Sequence, residues 1–505
     1  MRLRYAVLIV AVGLSAGTMT VGTVAFSQTP NVIGAFGPVI QWPIIPINVI
    51  LLPGVRVMSY GTDANGNQGG QLIYDVWNPA LGTGTNAHSV LPNTTSTDLF
   101  CSGQSVMTNG NVLTTGGDLT VGGQRNFSNN LTTIFMPSSN TIRSGSPMTY
   151  PRWYGSLLSL SDGRLAVFGG YQNIAPPLNN PVIPATTPER YDPATQVWTL
   201  LSGASSDAAF GEGGSNWYYP KSYVVPGGNV AVIGSDGTLY SVSTQGAGNI
   251  SQYNTTLPYG DATLPNISYA PGKILSIRST QCFTLDFTQP GEPVVTQTSN
   301  IDQYRSCASL TLMADGTVFI SGGSAAFNDL SSADYQTYIW NPNTGNWTAA
   351  AVATQARLYH SNALLLTDAT VLTTGGGAPG PVNNLNGEIY YPPYLYANNG
   401  SWAARPVITS AAPQTLLPGN TINITVGPND QISALTFVRT GSATHNNNSD
   451  QRFILLPFRQ TGRHLATVLP SDPTVLLPGF YMLFAFNTAR VPSTAYVLLV
   501  VPPPH

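Results

Sequence analysis

Side chains that can bind metals or carry redox chemistry stand at nearly the same distance before four predicted turns. In chain order they are Cys101 before Asn109, Tyr154 before Asp162, Cys307 before Asp315, and Tyr359 and His360 before Asp368, each eight or nine residues upstream. Taken singly, each has a more ordinary interpretation. A cysteine is among the most often buried residues, and tyrosine and histidine commonly pack inside β-structure. Their shared position is what makes them candidates for chemistry.

The shared position belongs to a diverged internal repeat of two strands, a turn and a Gly-Gly pair. The clearest copies are QSVMTNGNVLTTGGD (104–118), SLLSLSDGRLAVFGG (156–170), SLTLMADGTVFISGG (309–323) and NALLLTDATVLTTGG (362–376), with weaker copies at 222–237 and 269–279. The first glycines of the clear pairs are 53, 153 and 53 residues apart. A period of about 50 residues with hairpin chemistry is typical of a kelch-type β-propeller. Six copies and a further one in residues 30–80 predict seven blades.

Equivalent positions on propeller blades form a ring around the central axis. Cys101, Tyr154 and the Tyr359–His360 pair should therefore converge at one mouth of the channel. Cys101 and Tyr154 lie on consecutive blades, so we expect them to be close enough to touch.

The repeat ends after Gly377, and residues 387–406 form a turn-rich linker. Short alternating strands then run from Val407 to Pro502, a pattern that predicts an immunoglobulin-like sandwich. Its polar segment THNNNSDQR (444–452) carries His445 between two apolar strands, and a sandwich loop of this kind can reach the propeller axis. The predicted fold is all-β: residues 28–404 form the propeller and residues 405–505 the sandwich.

Composition restricts the possible classes of function. Of the 505 residues only 8% are charged, the net charge is −3, and no basic run is present, which argues against nucleic-acid partners. No motif for a nucleotide cofactor was found. Residues 1–27, with Arg2 and Arg4 before a long apolar run, predict a signal peptide or an uncleaved membrane anchor. We expect a secreted monomer, with any membrane contact made through that segment.

The motifs resemble those of the galactose oxidase and glyoxal oxidase family of copper-radical oxidases. The resemblance covers most of residues 95–502 and rests on a set of segments. They are FCSG (100–103), RWY (152–154), ARLYHSNALLLTD (356–368) and the stretch from GSATHNNNSDQR to LLPGFYMLFAFNTARVPS (441–493). RWY and the lack of an N-terminal carbohydrate-binding domain indicate the glyoxal oxidase branch.

The resemblance implies a site built from five residues. Tyr154 would be the radical tyrosine, joined to Cys101 by a thioether, and Tyr359 the axial tyrosine. His360 and His445 would be the imidazole ligands of one Cu(II) ion, which Tyr154 and Tyr359 also bind. A nitrogen and oxygen ligand set of this type suits Cu(II).

The implied reaction takes two electrons from an alcohol or an aldehyde hydrate and passes them to O2, giving hydrogen peroxide. Copper would accept one electron and the oxidised Tyr154–Cys101 unit the other, while Tyr359 acts as general base. We expect small aldehydes as substrates, with primary alcohols next.

Two departures from the family pattern are visible. Galactose oxidase stacks a tryptophan over its thioether, whereas the matching loop here reads Tyr171–Gln172, so Tyr171 is the candidate for shielding the radical. The three asparagines after His445 predict a looser loop than usual.

Several residues keep open interpretations. Arg152 and Arg357 either support the inner strands or contact substrate, and His88 and His464 are expected to be structural or on the surface. Cys282 and Cys307 are 25 residues apart and can form a disulfide, which would leave Cys101 for the thioether.

Two other functions remain open. Kelch propellers often serve as binding modules, and an inactive relative of the oxidases could assist cell-wall or polysaccharide assembly.

Overall fold

The computed structural model describes residues 29–173 and 183–504, and each clear copy of the repeat is an antiparallel hairpin in it. The turn residue fixes each hairpin through its side chain: Oδ1 of Asp315 accepts the Thr317 N–H at 3.1 Å, and Asp368 does the same for Thr370. Such side-chain bonds to backbone two residues ahead favour tight turns.

Close approach between neighbouring sheets explains the Gly-Gly pairs. At Gly116, where φ is 64°, a β-carbon would lie 1.8 Å from the carbonyl oxygen of Arg152, the residue just before the next sheet. At Gly169 it would lie 2.8 Å from the Trp217 carbonyl oxygen. A side chain at either position would therefore push two sheets apart.

Three sheets follow the N-terminal elements, helix α1 (Pro30–Ile33), β1 (Ala35–Phe36) and β2 (Ile40–Gln41). The first contains β3 (Pro46–Leu51), β4 (Val57–Gly61), β5 (Ile73–Trp77) and β6 (His88–Pro92). The second contains β7 (Gly103–Val106), β8 (Val112–Thr115), β11 (Thr132–Met136) and β12 (Thr141–Ser144), with the hairpin β9 (Asp118–Val121) and β10 (Gln124–Ser128) inserted. The third contains β13 (Trp153–Ser159), β14 (Leu165–Gln172), β15 (Ile183–Pro184), β16 (Glu189–Asp192) and β17 (Val197–Leu200).

Four more sheets of the same kind follow helix α2 (Asp207–Phe210). They contain β18 (Lys221–Val224), β19 (Val230–Ile233), β20 (Thr238–Ser243) and β21 (Asn249–Thr256); then β22 (Asn266–Ala270), β23 (Lys273–Arg278), β24 (Gln281–Asp286) and β25 (Val294–Thr298). The next is β26 (Ser309–Leu312), β27 (Val318–Ser321), β28 (Gln336–Asn341) and β29 (Asn346–Val352), and the last is β30 (Ser361–Leu365), β31 (Val371–Gly375) and β32 (Asn386–Tyr391). The N-terminal β1 and β2 both pair with β32, so the two ends of this region share one sheet.

The C-terminal region is a two-sheet sandwich. One sheet has β33 (Ile408–Ala412), β35 (Thr421–Val426), β39 (Phe458–Thr461) and β40 (His464–Val468); the other has β34 (Thr415–Leu416), β36 (Ile432–Arg439), β38 (Phe453–Leu456), β41 (Gly479–Asn487) and β42 (Tyr496–Val500). Between the two sheets lies an apolar core that includes Phe437, Leu483 and Leu498. β37 (Ser442–Thr444) leaves the sandwich and pairs with β3 of the first sheet.

The all-β prediction is confirmed. Within residues 29–173 and 183–504, helix is confined to α1, α2 and six single-turn 3-10 helices, at Pro79–Leu81, Thr85–Ala87, Ser202–Ala204, Gly213–Ser215, Leu330–Ser332 and Pro393–Leu395. Seven sheets of four or five strands lie before the sandwich in the described chain. Seven blades and the domain boundaries at 28, 404 and 405 stay predictions.

The predicted signal peptide or anchor at residues 1–27 lies outside the described residues, and secretion stays a prediction with it. Within 29–173 and 183–504, no helix has the length and apolar character needed to cross a bilayer.

Candidate metal centre

The candidate residues enter their sheets through an uncommon backbone conformation. Cys101, Tyr154 and His360 have φ values of 58°, 67° and 68°, and Cys307 has 62°. Left-handed backbone at bulky non-glycine residues is rare and concentrates at functional sites. His360 therefore occupies the repeat position of Cys101 and Tyr154, and Tyr359 precedes it.

Three of the five predicted site residues meet through their polar atoms, and a fourth, Tyr359, stacks on one of them. Nε2 of His445 lies 3.2 Å from Sγ of Cys101, and Nε2 of His360 lies 3.5 Å from it. The Tyr359 and His360 rings stack with centroids 3.8 Å apart, and the two imidazole centroids are separated by 4.5 Å. One small volume thus contains a thiol and two imidazole nitrogens.

Tyr154 completes the group. Its hydroxyl accepts a hydrogen bond of 3.1 Å from the Tyr359 hydroxyl, and its ring centroid is 5.5 Å from that of His445. The backbone N–H of Tyr154 donates to the Cys101 carbonyl at 3.2 Å, so the two residues from neighbouring sheets are in direct contact. The structure thus brings together all five predicted residues, which we call the five-residue cluster: Cys101, Tyr154, Tyr359, His360 and His445.

Each imidazole has one ring nitrogen bonded to the protein. Nδ1 of His360 lies 2.7 Å from the Gly377 carbonyl oxygen, an acceptor, so Nδ1 carries the proton. Nδ1 of His445 lies 2.6 Å from the Thr444 hydroxyl, whose own proton is donated to the Ile47 carbonyl at 3.0 Å. Both Nε2 atoms therefore present lone pairs to the centre of the cluster, as metal-binding histidines do.

Burial keeps the ligand groups in defined protonation states. Burial lowers the pKa of His360 to about 3 and that of His445 well below its usual value, so both rings are neutral at pH 7. Burial raises the pKa of Tyr154 and of Tyr359 well above 10. Burial likewise raises the pKa of Cys101, with a hydrogen bond to Tyr154 opposing the shift.

The donor set fits a copper ion. Two neutral nitrogen lone pairs and two phenol oxygens converge, and nitrogen and oxygen donors suit Cu(II). The imidazoles and Cys101 lie within 4.8 Å of one another through their ligand atoms. Without a bound cation, the Nε2 lone pairs of His360 and His445 would face each other and the protonated Cys101 thiol inside a buried site.

His445 reaches the cluster because its segment is anchored on both sides. β37 pairs with β3 in the register Asn48↔Thr444, and Gln104 Nε2 donates to the Ala443 carbonyl at 3.0 Å. The prediction of a loose loop is wrong. His445 and the three asparagines after it are buried, and Asn447 Nδ2 donates to Ser156 Oγ at 3.0 Å. Their amides replace solvent hydrogen bonds with bonds to several sheets.

Aromatic rings surround Tyr154. Trp153 stacks on it at 4.8 Å and 20°, and Tyr171 at 5.9 Å and 27°. The candidate shield Tyr171 thus stacks on the Tyr154 ring, and Trp153 stacks on the same ring. Trp217 contacts both Tyr154 and Tyr171, at centroid distances of 6.0 and 4.8 Å.

The segment 217–219 was missed by the sequence analysis. Tyr218 lies 5.2 Å from the Tyr154 ring, and Tyr219 lies 4.7 Å from the His445 ring. Tyr219 has a φ of 37° and lies eight residues before Gly227 in a weaker repeat copy. Counting back eight residues from Gly227 gives Tyr219, just as counting back from Asp162 gives Tyr154. The count predicts Tyr219 only if glycine is treated as a turn residue.

The two arginines support strands. Arg152 is buried, donates to the Gly169 carbonyl at 2.7 Å and pairs with Glu189 at 3.0 Å. Arg357 is buried, donates to the Gly375 carbonyl at 3.0 Å and pairs with Glu388 at 3.3 Å.

The remaining candidates lie apart from the cluster. His88 is partly buried and its Nδ1 lies 2.8 Å from Asp75, while His464 is exposed, as expected for structural or surface residues. Cys282 and Cys307 are both buried and free, so the structure does not contain the disulfide considered between them.

The sequence of this chain is similar to one protein-family model and to known oxidases. Residues 405–500 match the family model described as "Galactose oxidase-like, Early set domain". The chain is 29% identical to a galactose oxidase of Gibberella zeae, over 93% of this chain and 71% of that protein. It is 27% identical to the aldehyde oxidase GLOX of Vitis pseudoreticulata, over 39% and 42%.

A solved structure covers nearly the whole chain. It is a fungal alcohol oxidase of the AA5 family in complex with copper, with a TM-score of 0.80 and 25% identity over 93% of this chain and all of that one. The chain is therefore a homologue of galactose oxidase and glyoxal oxidase, and it carries a galactose oxidase-like early-set domain at residues 405–500.

Proposed function

We propose that this protein is a copper-radical oxidase that converts a primary alcohol, or an aldehyde as its hydrate, with O2 as oxidant. The observation that carries the proposal is the meeting of Cys101, Tyr154, Tyr359, His360 and His445 in one buried cluster. Homology to galactose oxidase and glyoxal oxidase, and the copper in the AA5 structure, support it.

Nε2 of His360 and His445 and the oxygens of Tyr154 and Tyr359 would hold the copper ion. A bound Cu(II) ion would supply a one-electron acceptor and a Lewis acid for the substrate oxygen. Neutral imidazoles need lose no proton to bind it, whereas the phenols must.

The side chains then divide the removal of two hydrogens. Tyr359 takes the proton of the substrate hydroxyl as general base, from a buried position beside Tyr154. Tyr154, in its radical form, takes a hydrogen atom from the substrate carbon, and a thioether to Cys101 spreads the unpaired electron onto sulfur. For a primary alcohol the balance is one alcohol and one O2 giving one aldehyde and one H2O2.

The test is a peroxide assay on copper-loaded protein with a panel of primary alcohols and aldehydes. We expect one copper per chain and peroxide equal to the aldehyde or acid formed. Tyr154→Phe should bind copper and lose turnover by at least about 1,000-fold, since it lacks the oxygen that accepts the hydrogen atom. His464→Ala, an exposed histidine, is the matched control and should remain active.

The assay also separates the two other functions. Stoichiometric copper without peroxide from any substrate would indicate an inactive relative. Protein that takes up no copper would instead fit a binding module, and either result contradicts the proposal.

A further inference from the structure

An open cavity of about 370 Å³ lies beside the five-residue cluster. It is within the size range of small-molecule sites. Its side-chain walls include Trp217, Tyr218, Tyr259, Asp261, Thr263 and Phe327.

Two wall residues connect the cavity to the cluster. The Tyr218 ring lies 5.2 Å from Tyr154 and 6.1 Å from His445. Phe327 lies 5.1 Å from Tyr359. A molecule that reaches the cluster through this cavity would therefore pass Tyr218 and Phe327.

The walls are aromatic, and two of the rings are unusually exposed. Tyr259 is 70% exposed and Phe327 56% exposed. Only two other aromatic side chains in the described chain, Tyr335 and Trp402, are among its exposed large apolar residues. Exposed apolar surface grouped around a concave site is typical of ligand recognition.

Charge in the cavity is limited to one carboxylate. Asp261 is the single charged residue among the described residues that line it. The amine of nearby Lys221 is buried, at 5% exposure, and donates to Asn446 at 3.2 Å. An anionic substrate would meet a like charge in the cavity wall, and no cationic side chain is among the described residues that line the cavity.

We infer that this cavity selects neutral substrates in which the primary alcohol or aldehyde is attached to an aromatic ring. The inference rests on the proposed function and narrows its substrate class. Flat rings would stack on Phe327, Tyr218 and Tyr259, which bury apolar area and favour offset or edge-to-face contacts. Polyols would leave their hydroxyls against these faces, and carboxylates would be repelled by Asp261. Small polar aldehydes, our expectation from the sequence, would fill little of the cavity.

The first experiment compares three primary alcohols on the copper-loaded enzyme. They are benzyl alcohol, glycerol and the anion glycolate. We expect kcat/KM for benzyl alcohol to exceed that for glycerol by about tenfold or more, with glycolate lower still. A kcat/KM for glycerol or glycolate equal to or above that for benzyl alcohol would overturn the inference and leave the proposed function intact.

Wall variants test whether the cavity sets that preference. Phe327→Ala and Tyr259→Ala should each lower the benzyl alcohol to glycerol ratio of kcat/KM by roughly threefold or more, the scale of one lost aromatic contact. Trp402→Ala removes another exposed ring, which stacks on Tyr396, and should keep the wild-type ratio. A ratio unchanged in both wall variants contradicts the inference.

A binding measurement on copper-free protein separates this inference from the proposed function. Saturation-transfer NMR with benzyl alcohol should give ring-proton signals that fall by at least about half in both wall variants and persist in Trp402→Ala. If no substrate is oxidised by the loaded protein, the proposed function fails, and this measurement alone decides whether the cavity binds aromatic rings. Equal signals in wild type and wall variants would overturn the inference.

Discussion

At the scale of single residues, the cluster combines groups that ionise far from their usual ranges. Both imidazoles are neutral at pH 7, because burial lowers the pKa of His360 to about 3 and that of His445 well below 6.5. Both phenols are protonated, because burial raises their pKa values. Copper binding should therefore displace protons from the tyrosines and none from the histidines.

This predicts the number of protons released. At pH 7 the binding of one Cu(II) should release about two protons, one from Tyr154 and one from Tyr359. Calorimetric titrations in buffers of different ionisation enthalpy give the number directly. In Tyr359→Phe the release should fall to about one. Identical release in wild type and this variant would mean that Tyr359 does not bind the metal as a phenolate.

Much of the residue pattern follows from turn spacing in the sequence. Counting back from Asn109, Asp162 and Asp368 predicts Cys101, Tyr154 and the Tyr359–His360 pair, and Cys101, Tyr154 and His360 share left-handed backbone. Counting back from the turn locates equivalent residues because the matching strands of each repeat begin at the same side of the molecule. Trp217, Tyr218 and Tyr219 were missed because the weaker copy has glycine in place of the turn aspartate.

At the scale of elements, strands are held in place by buried charge pairs. Arg152 precedes β13, and its guanidinium spans from the Gly169 carbonyl on β14 to Glu189 on β16. Glu189 also accepts the backbone N–H groups of Thr149 and Tyr150 at 2.7 and 3.1 Å. The position of Tyr154 thus depends on a carboxylate that does not touch the cluster.

Glu189→Gln should destabilise the protein because it leaves Arg152 buried without a counter-charge. Breaking a buried pair in this way costs about 3 kcal/mol or more, which for a chain of this length corresponds to a fall in Tm of roughly 3 °C or more. Differential scanning calorimetry measures the shift. Lys273→Met removes the half-buried pair with Asp286 near the surface, 3.1 Å long, and should change Tm by no more than about 1 °C. Similar shifts in the two variants would contradict this assignment.

The elements of the repeat were better predicted than those between repeats. Alternating strands and turns that begin with aspartate predict β13–β14, β26–β27 and β30–β31, since both signals are local; the turn is Asp-Gly in the first two hairpins and Asp-Ala in the third. The β9–β10 hairpin between β8 and β11 carries no repeat signal. The walls of the cavity beside the cluster come from the segments between β17 and β18, β21 and β22, and β27 and β28, whose shapes depend on packing and not on strand periodicity.

At the scale of the whole molecule, the cluster is incomplete without the C-terminal region. His445 follows β37, which leaves the sandwich to pair with β3 nearly 400 residues earlier in the chain. No local pattern reports such a contact: the polar segment 444–452 indicates only that a sandwich loop carries His445, and its role as a ligand comes from the family resemblance. Copper held by both regions should tie the sandwich to the sheets before it.

Thermal unfolding tests that coupling. Copper at about a thousand times its Kd should stabilise the wild-type protein by about 4 kcal/mol. His445→Ala should lose most of the copper-dependent rise in Tm, because one of the two imidazole ligands is gone. His464→Ala, on the exposed face of β40 in the same sandwich, should keep it. A full rise in Tm for His445→Ala would exclude His445 as a ligand.

The most direct test of the radical oxidase is the covalent state of Cys101 and Tyr154 after aerobic Cu(II) loading, read by intact mass and peptide mapping. Thioether formation replaces one S–H and one ring C–H by an S–C bond and passes two hydrogens to O2. We predict a mass loss of two hydrogen atoms in the wild-type protein, with the two peptides joined, and no loss in Cys101→Ser. Copper-loaded wild-type protein in which the two peptides stay separate would contradict the radical mechanism.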